Sequence, residues 1–319
     1  MKTRLLCGVI TLLSLSTGVL AGPRDAQWKK VDNAMNQGLP KTAIEELQPI
    51  IAGAMADHAY AEAIKAIGRK IALEANIQGN KAEEKILRLQ AELDKAPAEM
   101  KPAMEAVLAH WYWQYFQQNR WRFMQRTQTA EAPGPDLQTW DLARILTEID
   151  RHYTAALADE KNLKATPVGA YDDLLTKGTV PDRYRPTMFD FLVYEALQFY
   201  QAGEQAAVKA EDEFVIDANS PIFADAAEFA NWRPVADAHG GQEATGDASP
   251  KLRAIRLYQS LLKFHEADAD RSAFFDADLA RLSYGHNAAV GEDKDEHYKA
   301  GLERFIDATT THVICARAL

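Results

Sequence analysis

Histidines and carboxylates are the residues of this sequence that could bind a metal ion or transfer protons. The chain has eight histidines and 46 acidic residues. No HExxH run occurs, and no Cys/His group has zinc-ligand spacing. The acid-rich segment from His265 to Asp278 lacks the glycine and the terminal glutamate of a calcium loop. The sequence therefore predicts no metal site and no cofactor, and it predicts a solvated turn for this segment.

Motifs for nucleophilic catalysis are equally weak. The sequence contains no GxSxG elbow and no glycine-rich loop that would cradle a phosphate. Cys315 stands close to the last residue, which disfavours a Cys-His hydrolase. Without a convergent acid, base and nucleophile, the prediction is a protein that is not an enzyme.

An aromatic run from His110 to Thr127 contains three of the six tryptophans and three arginines. It could form a ligand platform in which an arginine stacks on an indole face. Helical spacing favours a second interpretation, a helix buried between neighbours, because the aromatic side chains occupy every face. The residues of this possible interaction or core cluster are Trp111, Trp113, Tyr115, Arg120, Trp121 and Arg122.

The N-terminal residues resemble a cleavable export signal. Lys2 and Arg4 precede an apolar stretch from Leu5 to Leu20, and small residues follow. Polar residues interrupt the stretch, which is short of the roughly 20 apolar residues of a membrane span. We therefore predict a signal peptide over residues 1–21, export to the periplasm, cell envelope or exterior, and no stable membrane span after cleavage.

The charge of the chain restricts its partners. The formal net charge is −10, and the acidic residues are spread along the sequence. This distribution favours solubility and argues against nucleic acid or anionic lipid as a partner.

Apolar residues recur at spacings of three and four through most of the chain, as in amphipathic helices. The set Ile64, Ile67 and Ile71 is one example, and Thr187 and Asp190 have the spacing of a capping box after Pro186. No alternating strand pattern is evident. The prediction is an all-α fold of helical hairpins, an α-solenoid with tetratricopeptide-like repeats toward the C-terminus.

Breaks in this pattern suggest a domain organisation. Residues 231–250 are poor in large apolar side chains and rich in Gly, Ala and Asp, which is typical of a linker or mobile loop. We predict an N-terminal helical region over 22–230 and tetratricopeptide-like repeats over 251–319. The segment from Thr311 to Leu319 has the pattern of another amphipathic helix, so the repeat array is expected to be truncated.

Four segments together resemble the N-terminal helical region of large bacterial alpha-2-macroglobulin-like proteins. They are WKKVDNAMNQGLPKTAIEEL from Trp28, YFQQNRWRFMQRT from Tyr115, TWDLARILTEIDRHYTAAL from Thr139 and YRPTMFDFLVYEALQFY from Tyr184. The resemblance implies a scaffold that precedes the bait and thioester domains of an endopeptidase inhibitor. Ala202 to Gln205 read AGEQ, with alanine where the thioester motif needs cysteine, so no covalent trap is expected there.

Two candidate functions result, the first implied by the resemblance and the second by the pattern of helical hairpins. The first is a non-catalytic secreted helical scaffold, whose partners are the downstream macroglobulin-like domains or proteases. The second is an exported tetratricopeptide-like adaptor that binds a peptide or protein partner in a groove between its helices.

Overall fold

A computed structural model describes residues 22–79, 81–126, 134, 136–203, 214–234 and 249–318. Helices dominate this part of the chain, which confirms the predicted all-α class. The repeat type remains a prediction. Residues 1–21 and 235–248, which include the predicted signal peptide and most of the predicted linker, lie outside the described residues.

The α-helices pack mainly against their neighbours in the sequence. Each of the first five helices packs on the next one in the sequence, and α5 also packs on α7. Helix α9 contacts α5, α7 and α11, and α12 and α13 follow α11 in the same neighbour-to-neighbour order. The helices are α1 (Asp25–Asn36), α2 (Pro40–Ala56), α3 (Tyr60–Ile77), α4 (Ala82–Leu93), α5 (Lys101–Gln118), α6 (Arg120–Gln125), α7 (Leu142–Ala156), α8 (Glu160–Ala165), α9 (Met188–Tyr200), α10 (Ala226–Asn231), α11 (Pro250–His265), α12 (Ser272–Ala288) and α13 (Lys294–Thr309).

Shorter elements connect these helices. Two two-residue strands, β1 (Ile216–Asp217) and β2 (Ala289–Val290), pair in parallel. The 3-10 helices are Leu137–Thr139, Val168–Tyr171, Asp182–Tyr184, Pro221–Phe223 and Val313–Arg317. The last of them replaces the amphipathic α-helix expected from Thr311 onward, and Ile314 within it is buried.

The helix periodicities predicted the buried faces. Ile64, Ile67 and Ile71 all lie in the core on α3. The capping box is also present: Thr187 Oγ1 accepts from the Asp190 backbone N–H, and the Asp190 carboxylate accepts from the Thr187 backbone N–H. These contacts satisfy backbone donors that have no partner within the first turn of α9.

The main hydrophobic core extends from Ala54 to Ile314 and includes residues on both sides of the predicted 231–250 linker. A smaller core lies between α1, α2 and α3, around Val31 and Leu47. Tyr194 on α9 donates a hydrogen bond to Asp276 on α12, at 2.9 Å, so polar contacts also link the two sides.

Candidate functional site

The aromatic run forms two helices rather than one. Helix α5 ends at Gln118, the backbone of Asn119 leaves the helical conformation, and α6 begins at Arg120. Helix α5 packs against α4, α7 and α9, which explains why its aromatic residues point in several directions.

Tyr115 and Arg122 of the predicted cluster lie together. The Tyr115 hydroxyl donates to Glu83 at 2.9 Å and accepts from Arg122 Nη2 at 2.8 Å. The Arg122 guanidinium also covers the rings of Tyr115 and Phe123, 5.4 and 4.8 Å from their centroids. Burial raises the pKa of the Tyr115 hydroxyl. This network attaches α6 to α5 and α4, so we interpret it as packing.

The other cluster residues do not converge on one point. Trp113 is half-buried and contacts Phe116 and Phe199, which is a core position. Trp111 is half-buried and, with Tyr115, lines a cleft of about 260 Å³ between α3, α4 and α5. Arg120 is exposed, and Trp121 is 69% exposed. The arrangement therefore gives no shared ligand platform for these six residues.

The solvated turn predicted for the acid-rich segment from His265 to Asp278 is present in its middle, where Glu266 and Asp270 are exposed, but the two ends of the segment are buried. His265, Asp276 and Asp278 are buried, and α12 begins within the segment at Ser272. Each buried group has a partner, which burial of a charge requires. His265 contacts Asp190 and Asp268, while Asp276 binds Arg317 at 2.7 Å and Asp278 binds Arg281. Asp190 and Arg317 lie far away in the sequence, whereas Asp268 and Arg281 lie about one helical turn away. The spacing of charged residues alone does not reveal these pairs.

Ser272, His312 and Asp270 superficially resemble a catalytic triad, but their hydrogen bonds run in the wrong direction. The backbone N–H of Ile314 donates to His312 Nδ1 at 3.2 Å, which leaves the proton of a neutral ring on Nε2. That nitrogen lies 3.1 Å from Ser272 Oγ, which in turn hydrogen-bonds to Asp270. His312 therefore donates to the serine, whereas a general base would accept the serine proton.

Within the described ranges, no group of three or more His, Cys, Asp or Glu residues has metal-binding geometry. Cys315 is a free, half-buried thiol. Ala202 and Gly203 follow the end of α9, while Glu204 and Gln205 lie outside the described residues. No described helix combines the length and the apolar composition that crossing a bilayer requires.

A cleft of about 480 Å³ lies elsewhere, at the end of the α2–α3 hairpin. One wall is the turn before α3 and the first residues of that helix. The start of α5 forms a second wall, and α8 with the 3-10 helix Val168–Tyr171 forms a third. Its volume lies within the range of about 300–1,000 Å³ that is usual for binding sites.

Backbone hydrogen bonds hold the third wall in place. Met188 N–H donates to the Thr166 carbonyl and Val168 N–H donates to the Pro186 carbonyl, both at 2.9 Å. Pro167 and Thr187 thus form a short antiparallel bridge that ties this wall to the start of α9. The Asp159 side chain caps α8 and also accepts from the Asn162 side chain at 2.6 Å.

Aromatic and apolar side chains line much of the cleft. Tyr60 and Tyr171 are its two tyrosines, and both are half-buried. Burial raises the pKa of Tyr171, and the nearby Tyr60 hydroxyl raises it further. The remaining apolar lining includes Ala103, Leu163 and Met188, all buried.

The charged lining of the cleft is negative. Glu62 is neutralised by Arg24, whose Nε lies 2.7 Å from Glu62 Oε2, and it also accepts from the Trp28 indole at 2.8 Å. Glu99, Asp159 and Asp173 are exposed carboxylates. No lysine or arginine is among the described residues that line the cleft. Among the described residues, the cleft therefore combines aromatic rings with carboxylates that no lining cation neutralises.

Sequence reasoning missed this cleft because its walls come from residues 58–62, 99–103 and 159–173, together with Met188. None of these short segments carries a motif, and the candidate aromatic cluster lies outside the lining. The known proteins give no further guide, because no family model, curated protein or solved structure matches the chain.

Proposed function

We propose that this protein is a non-catalytic, exported adaptor that binds a basic segment of a partner protein in the cleft between α3, α5 and α8. The observation that carries the proposal is the lining of that cleft, which combines Tyr60 and Tyr171 with the carboxylates of Glu99, Asp159 and Asp173. Arrays of helical hairpins commonly bind extended segments on such concave surfaces.

The chemistry of the lining suits a lysine or arginine side chain. Its alkyl stem can pack on partly exposed apolar lining residues such as Ala59 and Pro102. Its cation gains from an aromatic face, an interaction worth about 0.5–2 kcal/mol. Three surrounding carboxylates add an attraction of about 0.2–1 kcal/mol each at an exposed site.

The overall charge of the protein supports the same partner. A formal net charge of −10 attracts basic segments over a distance and speeds their association. The export signal pattern of residues 1–21 supports an extracytoplasmic partner.

Variants that replace the carboxylates of the cleft with neutral amides test the proposal. The triple variant Glu99→Gln, Asp159→Asn and Asp173→Asn removes the cleft charges, and asparagine retains the helix cap at residue 159. In a titration with a fluorescein-labelled Lys-Gly repeat peptide, the triple variant should bind the peptide about tenfold more weakly than the unmodified protein does.

A matched control removes three exposed carboxylates outside the cleft, through Glu45→Gln, Glu292→Gln and Asp307→Asn. This control should bind the peptide nearly as well as the unmodified protein. Equal losses in the two triple variants would show that binding follows net charge alone, and the cleft proposal would fail. Tighter binding of free spermidine than of the peptide would instead favour a small polyamine ligand.

The macroglobulin-like scaffold is the second candidate function, and the order of the four similar segments is what supports it. In that account the chain has no inhibitory activity of its own. Incubation of the purified chain with several endopeptidases tests this account, because stoichiometric loss of protease activity would contradict it.

A further inference from the structure

His58 has an unusual backbone conformation at the edge of the cleft. Its φ angle is +56°, and within the described ranges it is the one non-glycine residue with positive φ. Such a conformation is costly for a side chain with a Cβ atom, and residues of this kind cluster at functional sites.

The preceding hairpin shows what this position normally requires. At the end of α1, Gly38 has a φ of +70°. The Gly38 N–H donates to the Met35 carbonyl, and the Leu39 N–H donates to the Ala34 carbonyl. At the end of α2, the His58 and Ala59 N–H groups donate to Met55 and Ala54 with the same offsets. Both turns are Schellman motifs, in which glycine is the favoured residue.

The same position recurs after α3, where Gly79 has a φ of +95°. Three successive helix ends, separated by about 20 residues, therefore place a left-handed residue after the helix. Glycine occupies the two turns that do not line the cleft, and histidine occupies the turn that does.

The His58 imidazole is also held in a defined position. Its Nδ1 lies 2.7 Å from the Tyr60 hydroxyl, and the two rings meet edge to face with centroids 5.6 Å apart. When the Tyr60 hydroxyl donates to Nδ1, the ring proton is on Nε2. Because His58 is exposed and lines the cleft, that N–H can donate to an acceptor bound there, such as a peptide carbonyl.

We propose that His58 is a specificity-determining residue of the cleft, retained at the expense of stability because its ring donates a hydrogen bond to the backbone of the bound basic segment. This inference rests on the proposed adaptor function. It adds a recognition element for the peptide backbone to the recognition of its cationic side chains.

The inference predicts opposite effects on stability and on binding. His58→Gly should raise the midpoint of urea denaturation, since glycine adopts positive φ without steric cost. The same variant should bind the Lys-Gly peptide about five- to tenfold more weakly, the effect of one lost hydrogen bond. His58→Asn should behave similarly, because asparagine tolerates the left-handed conformation but lacks the ring.

Gly38→His is the matched control. It places histidine in the same backbone conformation at the other end of α2, where a Cβ atom would meet no neighbour within 4 Å. This variant should lower the midpoint of denaturation without changing peptide affinity.

The outcomes separate the two proposals. Peptide binding by the unmodified protein with unchanged affinity in His58→Gly would overturn the role of His58 and leave the adaptor function intact. Absence of peptide binding by the unmodified protein would overturn the adaptor function, and the role of His58 with it.

Discussion

His265 on α11 is bound to Asp190 on α9, with 2.6 Å between His265 Nε2 and Asp190 Oδ1, and both side chains are buried. The other ring nitrogen, Nδ1, lies 2.6 Å from Asp268. A ring with a carboxylate at each nitrogen is best satisfied as an imidazolium that donates twice. Because Asp190 also forms the capping box of α9, this histidine connects the start of α9 to the end of α11.

The first prediction concerns pH. Burial alone would lower the pKa of His265, but the hydrogen bonds and charges of Asp190 and Asp268 outweigh it and raise the pKa. The stabilisation is therefore complete below the unfolded pKa of about 6.5 and is lost as pH rises through the higher folded pKa. Urea denaturation across this range should show a fall in stability that His265→Gln abolishes and His297→Gln retains. An identical fall in His265→Gln would contradict the assignment.

The second prediction is the cost of breaking this pair at pH 6. His265→Gln leaves the buried Asp190 carboxylate without its cationic partner. We expect a loss of about 3 kcal/mol in the free energy of unfolding. A loss below about 1 kcal/mol would show that the pair adds little to the connection between α9 and α11.

The third prediction concerns Arg281, a fully buried cation on α12. Its guanidinium binds Asp278 and donates to the carbonyls of Ile222 and Ala224, at 2.8 and 2.9 Å. Arg281→Met would orphan all three acceptors and should lower the free energy of unfolding by about 3 kcal/mol or more. Arg183→Met, at an exposed arginine, should change the free energy of unfolding by less than about 1 kcal/mol. Similar losses in both variants would refute this account.

The fourth prediction compares two helical glycines. A Cβ atom on Gly285 would lie 2.7 Å from Ile222 Cγ1 and 2.9 Å from Phe223 Cε1, whereas one on Gly68 would meet nothing within 4 Å. Gly285→Ala should therefore destabilise the protein by about 1–3 kcal/mol through overpacking. Gly68→Ala should stabilise it by about 0.5–1 kcal/mol through helix propensity. If thermal denaturation gave midpoint shifts of the same sign for the two variants, this account of the packing would be contradicted.

The helices could be predicted from the sequence because a buried stripe repeats locally. Ile64, Ile67 and Ile71 share one face of α3 at spacings that only a helix satisfies. The capping box of Thr187 and Asp190 was equally visible, since it needs just two residues three apart. The predicted domain division stays a prediction.

The candidate site could not be predicted in the same way. The aromatic run around Trp113 and Tyr115 is conspicuous as sequence, yet its residues contact several different neighbours. The cleft is instead assembled by tertiary packing from distant segments. The one local signal was His58, which stands where the preceding hairpin has Gly38, and it becomes informative once both φ angles are known.

The most direct test of the adaptor account is the affinity of the unmodified protein for the Lys-Gly repeat peptide and for the same peptide with every lysine acetylated. Acetylation removes the cation while leaving the backbone in place. The account predicts measurable binding of the lysine peptide that weakens as salt rises, and at least tenfold weaker binding of the acetylated peptide. Equal affinity for the two peptides, or no binding of either, would contradict it.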